Sequence, residues 1–133
     1  MPGSEAAATV VVAENDASMT RALRRILRLA GYEVVIYASA EALLDAGGAG
    51  NAACLVLDVH LPGMDGFALH RALLARGTVP PVIFMTGFDD AAQDAPRPVD
   101  GATRLAKPFH GRALLAAIHG LVDGAASSRR FEA

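Results

Sequence analysis

The sequence predicts an α/β fold, a doubly wound sandwich in which helices cover both faces of a parallel five-stranded sheet. Three observations predict it. Short runs rich in Val, Ile and Leu recur without polar alternation, as strands buried on both faces require. Segments with apolar residues spaced three and four apart lie between them, which is the helical period. Polar residues capable of chemistry stand at the ends of four of these runs.

Thr9 to Ala13 is the first such run. A helix follows, capped by Asp16, with Met19, Leu23, Ile26, Leu27 and Ala30 on one side and Arg21, Arg24, Arg25 and Arg28 on the other. Gly31 stops it. Glu33 to Tyr37 is the second strand, and Ser39 caps a short helix through Leu44. Gly47 to Ala52 is a small-residue loop before the third strand, Ala53 to Asp58. A helix spans about Gly66 to Ala75. After the Pro80-Pro81 turn, Val82 to Thr86 makes the fourth strand. A further helix belongs between Asp89 and Asp100, but Pro96 and Pro98 allow it only a turn or two. Thr103 to Ala106 is the fifth strand, and the last helix runs from Gly111 to about Val122.

At 133 residues the chain suits one domain. Residues 1–8 read as a disordered N-terminus, 9–123 as the folded domain and 124–133 as a flexible tail too short to be an output domain, so a stand-alone protein is expected. A net charge of −2 gives no electrostatic footprint for nucleic acid. No long apolar run or basic-then-apolar leader is visible, so no membrane segment is expected and a cytoplasmic location fits. The single cysteine, Cys54, lies within an apolar run and reads as a small buried hydrophobe.

One lysine stands among twelve basic residues, the rest being arginine. That lysine, Lys107, opens the run Lys107-Pro108-Phe109. A compact ammonium on a flexible stem delivers a point charge into a tight pocket where a planar guanidinium is too broad. Its best anionic partner is Asp58, which closes Cys54-Leu55-Val56-Leu57 and opens a turn through Gly66. Right-handed crossovers put the carboxyl ends of all strands on one edge. Glu14, Asn15 and Asp16 therefore gather there with Asp58, Thr86 and Lys107. This is the edge where open α/β sheets bind ligands. A carboxylate nucleophile, an acidic corner, a hydroxyl and a lysine suit phosphoryl transfer with a divalent ion.

The runs L-D-V-H-L-P-G-M-D-G at 57–66, M-T-G at 85–87 and K-P-F at 107–109 carry a family resemblance in their order and spacing. From Thr9 to Val122 the chain resembles the receiver domain of a two-component response regulator. That resemblance implies a flavodoxin-like fold with strand order 2-1-3-4-5 and a receiver domain over 9–123. It makes Asp58 the phosphoacceptor, charged by a sensor histidine kinase or a histidine phosphotransfer domain. Thr86 would hydrogen-bond the phosphoryl group and Lys107 would pair with it, after a peptide bond to Pro108 that is often cis. Mg²⁺ would be held by Glu14, Asn15, Asp58 and the backbone carbonyl of His60. His60 and Phe88 would flank the attacking water, Phe88 prolonging the phosphorylated state. An unknown downstream protein would read the result, with no direct nucleic-acid contact, and the chain would be a monomer or weak homodimer.

Two positions depart from the family pattern. Most receivers end strand one in two acids, but here Asn15 follows Glu14, so weaker Mg²⁺ binding is expected. Arg104 stands where an aromatic ring usually turns inward, and a guanidinium cannot bury there without leaving a charge unpaired. An output that does not use the ordinary aromatic switch is expected.

Each residue also has a plainer reading. Asp58 alone is a strand-end cap, Thr86 a turn residue, Lys107 a surface charge, His60 an exposed loop histidine, and the arginine side of the first helix a solvated face. A pseudo-receiver, acting as a phosphorylation-independent interaction module, is the alternative that Asn15, Arg104 and the proline-broken segment favour. A phosphatase of the haloacid dehalogenase type would need a D-x-D motif, which Asp58-Val59-His60 does not supply.

Overall fold

A computed structural model describes residues 8–77, 79–87 and 103–132. Its elements are β1 (Thr9–Ala13), α1 (Ala17–Leu29), β2 (Glu33–Tyr37), α2 (Ala40–Asp45), β3 (Cys54–Asp58), α3 (Gly66–Arg76), β4 (Val82–Thr86), β5 (Thr103–Ala106) and α4 (Gly111–Glu132). Phe88 and the segment from Asp89 to Asp100 lie outside the described residues.

The strands form one parallel sheet in the order β2-β1-β3-β4-β5. The order reverses between β1 and β3, so their carboxyl ends flank the crevice that such a sheet offers to ligands. β3 and β4 are buried along their whole length. That burial explains their unbroken apolar sequences, since alternate residues feed two separate cores. Val10, Val12, Val56, Ile83 and Met85 pack with Leu23 and Leu27 of α1 and Leu114 and Ile118 of α4. Val11, Leu55, Leu57 and Phe84 face the other way, onto Leu43 of α2 and Phe67, Leu69 and Leu73 of α3. Each fully buried leucine in these layers contributes about 1.5–3 kcal/mol.

The helix ends follow their capping chemistry. The side chains of Asp16, Ser39 and Asp65 accept from the backbone N–H of Met19, Ala42 and Ala68. Gly31, at φ +96°, takes the left-handed turn that ends α1. One boundary differs from the sequence pattern, which ends the last helix near Val122 and reads a tail beyond it. The backbone continues helical to Glu132; Gly124 to Glu132 holds no proline to break it.

Candidate functional site

Three charged side chains from separate parts of the sheet meet at its carboxyl edge. Glu14 directly follows β1 and Asp58 is the last residue of β3, and the two residues are 2% and 5% exposed. Lys107, leaving β5, places its Nζ 2.8 Å from Glu14 Oε1 and 3.3 Å from Asp58 Oδ2. Asp58 is the partner the sequence suggests; Glu14 is the nearer one. Sequence spacing cannot rank two acids that come from adjacent parallel strands.

Backbone donors hold both carboxylates in place. The N–H of Asp16 donates to Glu14 Oε2 at 2.9 Å, and the N–H of His60 donates to Asp58 Oδ1 at 3.0 Å. Every carboxylate oxygen of the pair thus faces a donor. Burial pushes the Glu14 carboxyl above its ordinary value, and the neighbouring Asp58 charge adds to that rise against the opposing pull of Lys107 and the Asp16 N–H. Burial also works against the Lys107 ammonium. Its contacts with Glu14 and Asp58 outweigh that cost and hold it above its usual value. Two carboxylates sharing one ammonium leave the cluster one positive charge short.

Gly66, the first residue of α3, fits beneath this cluster because it has no side chain. A Cβ there would run into the Asp58 carbonyl, and the Gly66 N–H donates to the Val59 carbonyl at 3.1 Å. The β3–α3 turn therefore packs directly against the backbone at the end of β3.

The remaining sequence-predicted residues are placed as follows. Thr86 ends β4, 2% exposed, and its carbonyl accepts from the Lys107 N–H at 2.7 Å. This bond delivers the lysine to the edge, and the Lys107-Pro108 peptide that follows it is cis. Asn15 is exposed beside Glu14, and His60 is exposed while its N–H serves Asp58. Arg104 stays out of the cluster. It is exposed on β5, with its guanidinium carbon 5.7 Å from the centroid of Phe67. Phe67 in turn packs on Phe84, with centroids 4.7 Å apart. The contacts of Gly66 and the pairing of Glu14 with Lys107 went unread in the sequence. The closely spaced Gly63 and Gly66 in the turn after Asp58 were the available signal for a close backbone approach.

Residues 10–119 match the family model described as the response regulator receiver domain. The chain belongs to that family. Relatives of this receiver include nodulation protein W of Bradyrhizobium diazoefficiens, 38% identical over 84% of this chain and 49% of that protein. Another is the transcriptional regulatory protein FixJ of Azorhizobium caulinodans, 36% identical over 92% of this chain and 59% of that protein. The receiver thus spans about half the length of these curated relatives. Among solved structures, response regulator StyR superposes with a TM-score of 0.80 at 36% identity, covering 96% of this chain and 65% of that one. A response regulator receiver protein from Burkholderia phymatum gives 0.73 at 35% identity, covering 87% and 95%. The receiver is accordingly a signalling domain of the two-component type and not a conventional enzyme. Among the described residues no helix is long and apolar enough to cross a membrane.

Family membership raises the question of a divalent ion. Among the described residues no group of three or more His, Cys, Asp or Glu side chains converges as a metal site. The donors on hand are the two buried carboxylates, the amide of Asn15 and backbone carbonyls. These are hard oxygen donors of the kind Mg²⁺ takes, and the cluster's missing positive charge fits a cation. Because Glu14 Oε1 is held by Lys107 and Oε2 by the Asp16 N–H, a cation here shares Glu14 with the lysine.

Proposed function

We propose that this receiver accepts a phosphoryl group on Asp58 from the phosphohistidine of a sensor histidine kinase or histidine phosphotransfer domain. The observation that supports this is the convergence of buried Glu14 and Asp58 on Lys107 at the carboxyl edge. An Asp58 carboxylate oxygen attacks phosphorus in line. An O–P bond forms, the P–N bond breaks, and its electron pair leaves with the imidazole. Lys107 pairs with a phosphoryl oxygen, and the Thr86 hydroxyl donates to another. The His60 N–H keeps the carboxylate oriented.

Glu14, Asp58, the Asn15 amide and the His60 carbonyl would hold Mg²⁺, which supplies charge neutralisation at the phosphoryl oxygens. A neutral amide in place of a second acid gives weaker Mg²⁺ affinity than a two-acid corner; Asn15→Asp tightening Mg²⁺ binding in a titration is the expected result. The phosphorylated form then changes binding to a downstream protein in the cytoplasm.

The test is intact mass after incubation with Mg²⁺ and a small acyl-phosphate donor, beside Asp58→Asn. Gain of one phosphoryl group by the wild type alone is expected. A folded wild type that gains none would overturn the reading and favour a phosphorylation-independent interaction module.

A further inference from the structure

Outside the charged cluster, one carboxylate makes a long-range contact that neither helix formation nor the acceptor chemistry explains. Glu41 lies in the first turn of α2, where any acid is favoured by the helix N-terminus. Its carboxylate nevertheless leaves the helix end. The N–H of Met64, 23 positions away in the β3–α3 turn, donates to Glu41 Oε2 at 3.2 Å. The same oxygen lies over the bare Cα of Gly63, where a Cβ would approach it to 2.9 Å. Gly63 has φ +74°, so glycine there serves both the backbone turn and the approach of the carboxylate. Two separate features of the turn thus accommodate one side chain from another element.

The segment so held is the one that serves the acceptor. Its first part gives the His60 N–H to Asp58 Oδ1. Its middle buries Leu61, and its end supplies the Asp65 cap of α3 and the Gly66 backbone against the Asp58 carbonyl. Met64 and Gly63 form the outer bend of the turn, and the Glu41 contact spans that bend.

We propose that Glu41 is a positioning residue, which tethers the β3–α3 turn so that the His60 N–H stays on Asp58. It acts on Asp58 indirectly, through its hydrogen bond to the Met64 N–H in the turn. The rate consequence rests on Asp58 being the phosphoacceptor; the tether itself does not.

Glu41→Ala and Glu41→Gln separate these points. Glutamine keeps a carbonyl oxygen for Met64, whereas alanine removes the acceptor. Amide hydrogen exchange at Met64 and His60, followed by NMR, should speed up about fivefold in Glu41→Ala, the population change expected for one hydrogen bond, and hold near wild type in Glu41→Gln. Phosphorylation by a small acyl phosphate, followed by intact mass, should slow by a similar factor in Glu41→Ala only, with the unfolding temperature little changed in either variant. Unchanged exchange at both amides in Glu41→Ala overturns the tether. Equal impairment in both variants also overturns it, because the carboxylate charge and not the hydrogen bond would then be responsible. A wild type that accepts no phosphoryl group sinks the acceptor reading, yet leaves the exchange comparison to decide the tether.

Discussion

Lys107 and Arg104 stand on the same strand and its exit, and they end in opposite surroundings. The ammonium reaches two buried carboxylates at 2.8 and 3.3 Å. The guanidinium lies over Phe67, exposed to solvent. Register accounts for part of the difference. Arg104 pairs with Phe84 in the middle of β4, on the aromatic side of the sheet, whereas the Lys107 N–H is bonded to the carbonyl of the last residue of β4. Side-chain chemistry accounts for the rest. A point charge can be enclosed by two acids, while a broad, weakly hydrated plane is satisfied by stacking on a ring. The chain's only lysine thus takes the enclosed position of these two, and an arginine takes the open one. Adjacent residues of α3 serve the two regions, Gly66 beneath the acids and Phe67 beneath the guanidinium.

The largest effect that tests this division is expected at Gly66. In Gly66→Ala the new methyl meets the backbone of Asp58 and Val59, which cannot yield as a flexible side chain would. Either α3 shifts outward or β3 bends. A loss of about 3 kcal/mol in chemical denaturation is expected, comparable to the upper range for overpacking. If the variant is as stable as wild type, the close approach of α3 to β3 is not a constraint.

Lys107→Met ranks next. It leaves Glu14 and Asp58 buried without their shared cation. Breaking a buried pair costs about 3–5 kcal/mol, and the partial exposure of Lys107 cuts this to about 2 kcal/mol. The loss should shrink as pH falls through the raised Glu14 value, because the neutral carboxyl no longer needs the cation. Lys107→Arg should recover little, since a guanidinium does not fit between the two acids. Full recovery would abolish the distinction between the two cations.

The aromatic layer beneath Arg104 has its own titratable group. His70, 5% exposed, sets its ring 5.4 Å from Phe84, and burial holds its pKa below the ordinary 6.5. The folded state therefore binds a proton less readily than the unfolded chain. Stability supplied by this group is complete above pH 6.5 and is lost as pH falls through the lowered folded value. His70→Leu should flatten the stability profile below that pH. Parallel wild-type and variant profiles would show that His70 remains solvated enough to titrate normally.

The two regions were not equally legible in the sequence. The strands, their caps and the meeting of Asp58, Thr86 and Lys107 at one edge follow from local rules, because burial on both faces and parallel crossovers leave few alternatives. Glu14 as the nearer partner of Lys107 was not legible, since it depends on sub-ångström packing between β1 and β3. The Glu41 contact was hidden for a different reason. An acid in the first turn of a helix already has a sufficient local explanation, so nothing in the sequence pointed across to Met64. Arg104 was half legible. That it would not bury follows from its charge, but its seat on Phe67 required the register of β5 against β4.

Arg104→Ala should give the smallest effect and bears most directly on the comparison. An exposed cation over an aromatic face contributes about 0.5–1 kcal/mol, so the loss in denaturant unfolding should stay within that range. A contact with a ring quadrupole should survive moderate salt better than an exposed ion pair does. Arg104→Lys should lose nearly as much as alanine, because an ammonium is more strongly hydrated and stacks poorly. Arg104→Tyr keeps contact with Phe67 through its ring and should recover the stability without the charge. Comparing downstream binding of phosphorylated wild type and Arg104→Tyr then separates packing from charge. Equal binding leaves an output that does not use the ring. Gained switching in the tyrosine variant alone would show that arginine at this place suppresses a coupling the rest of the fold still supports.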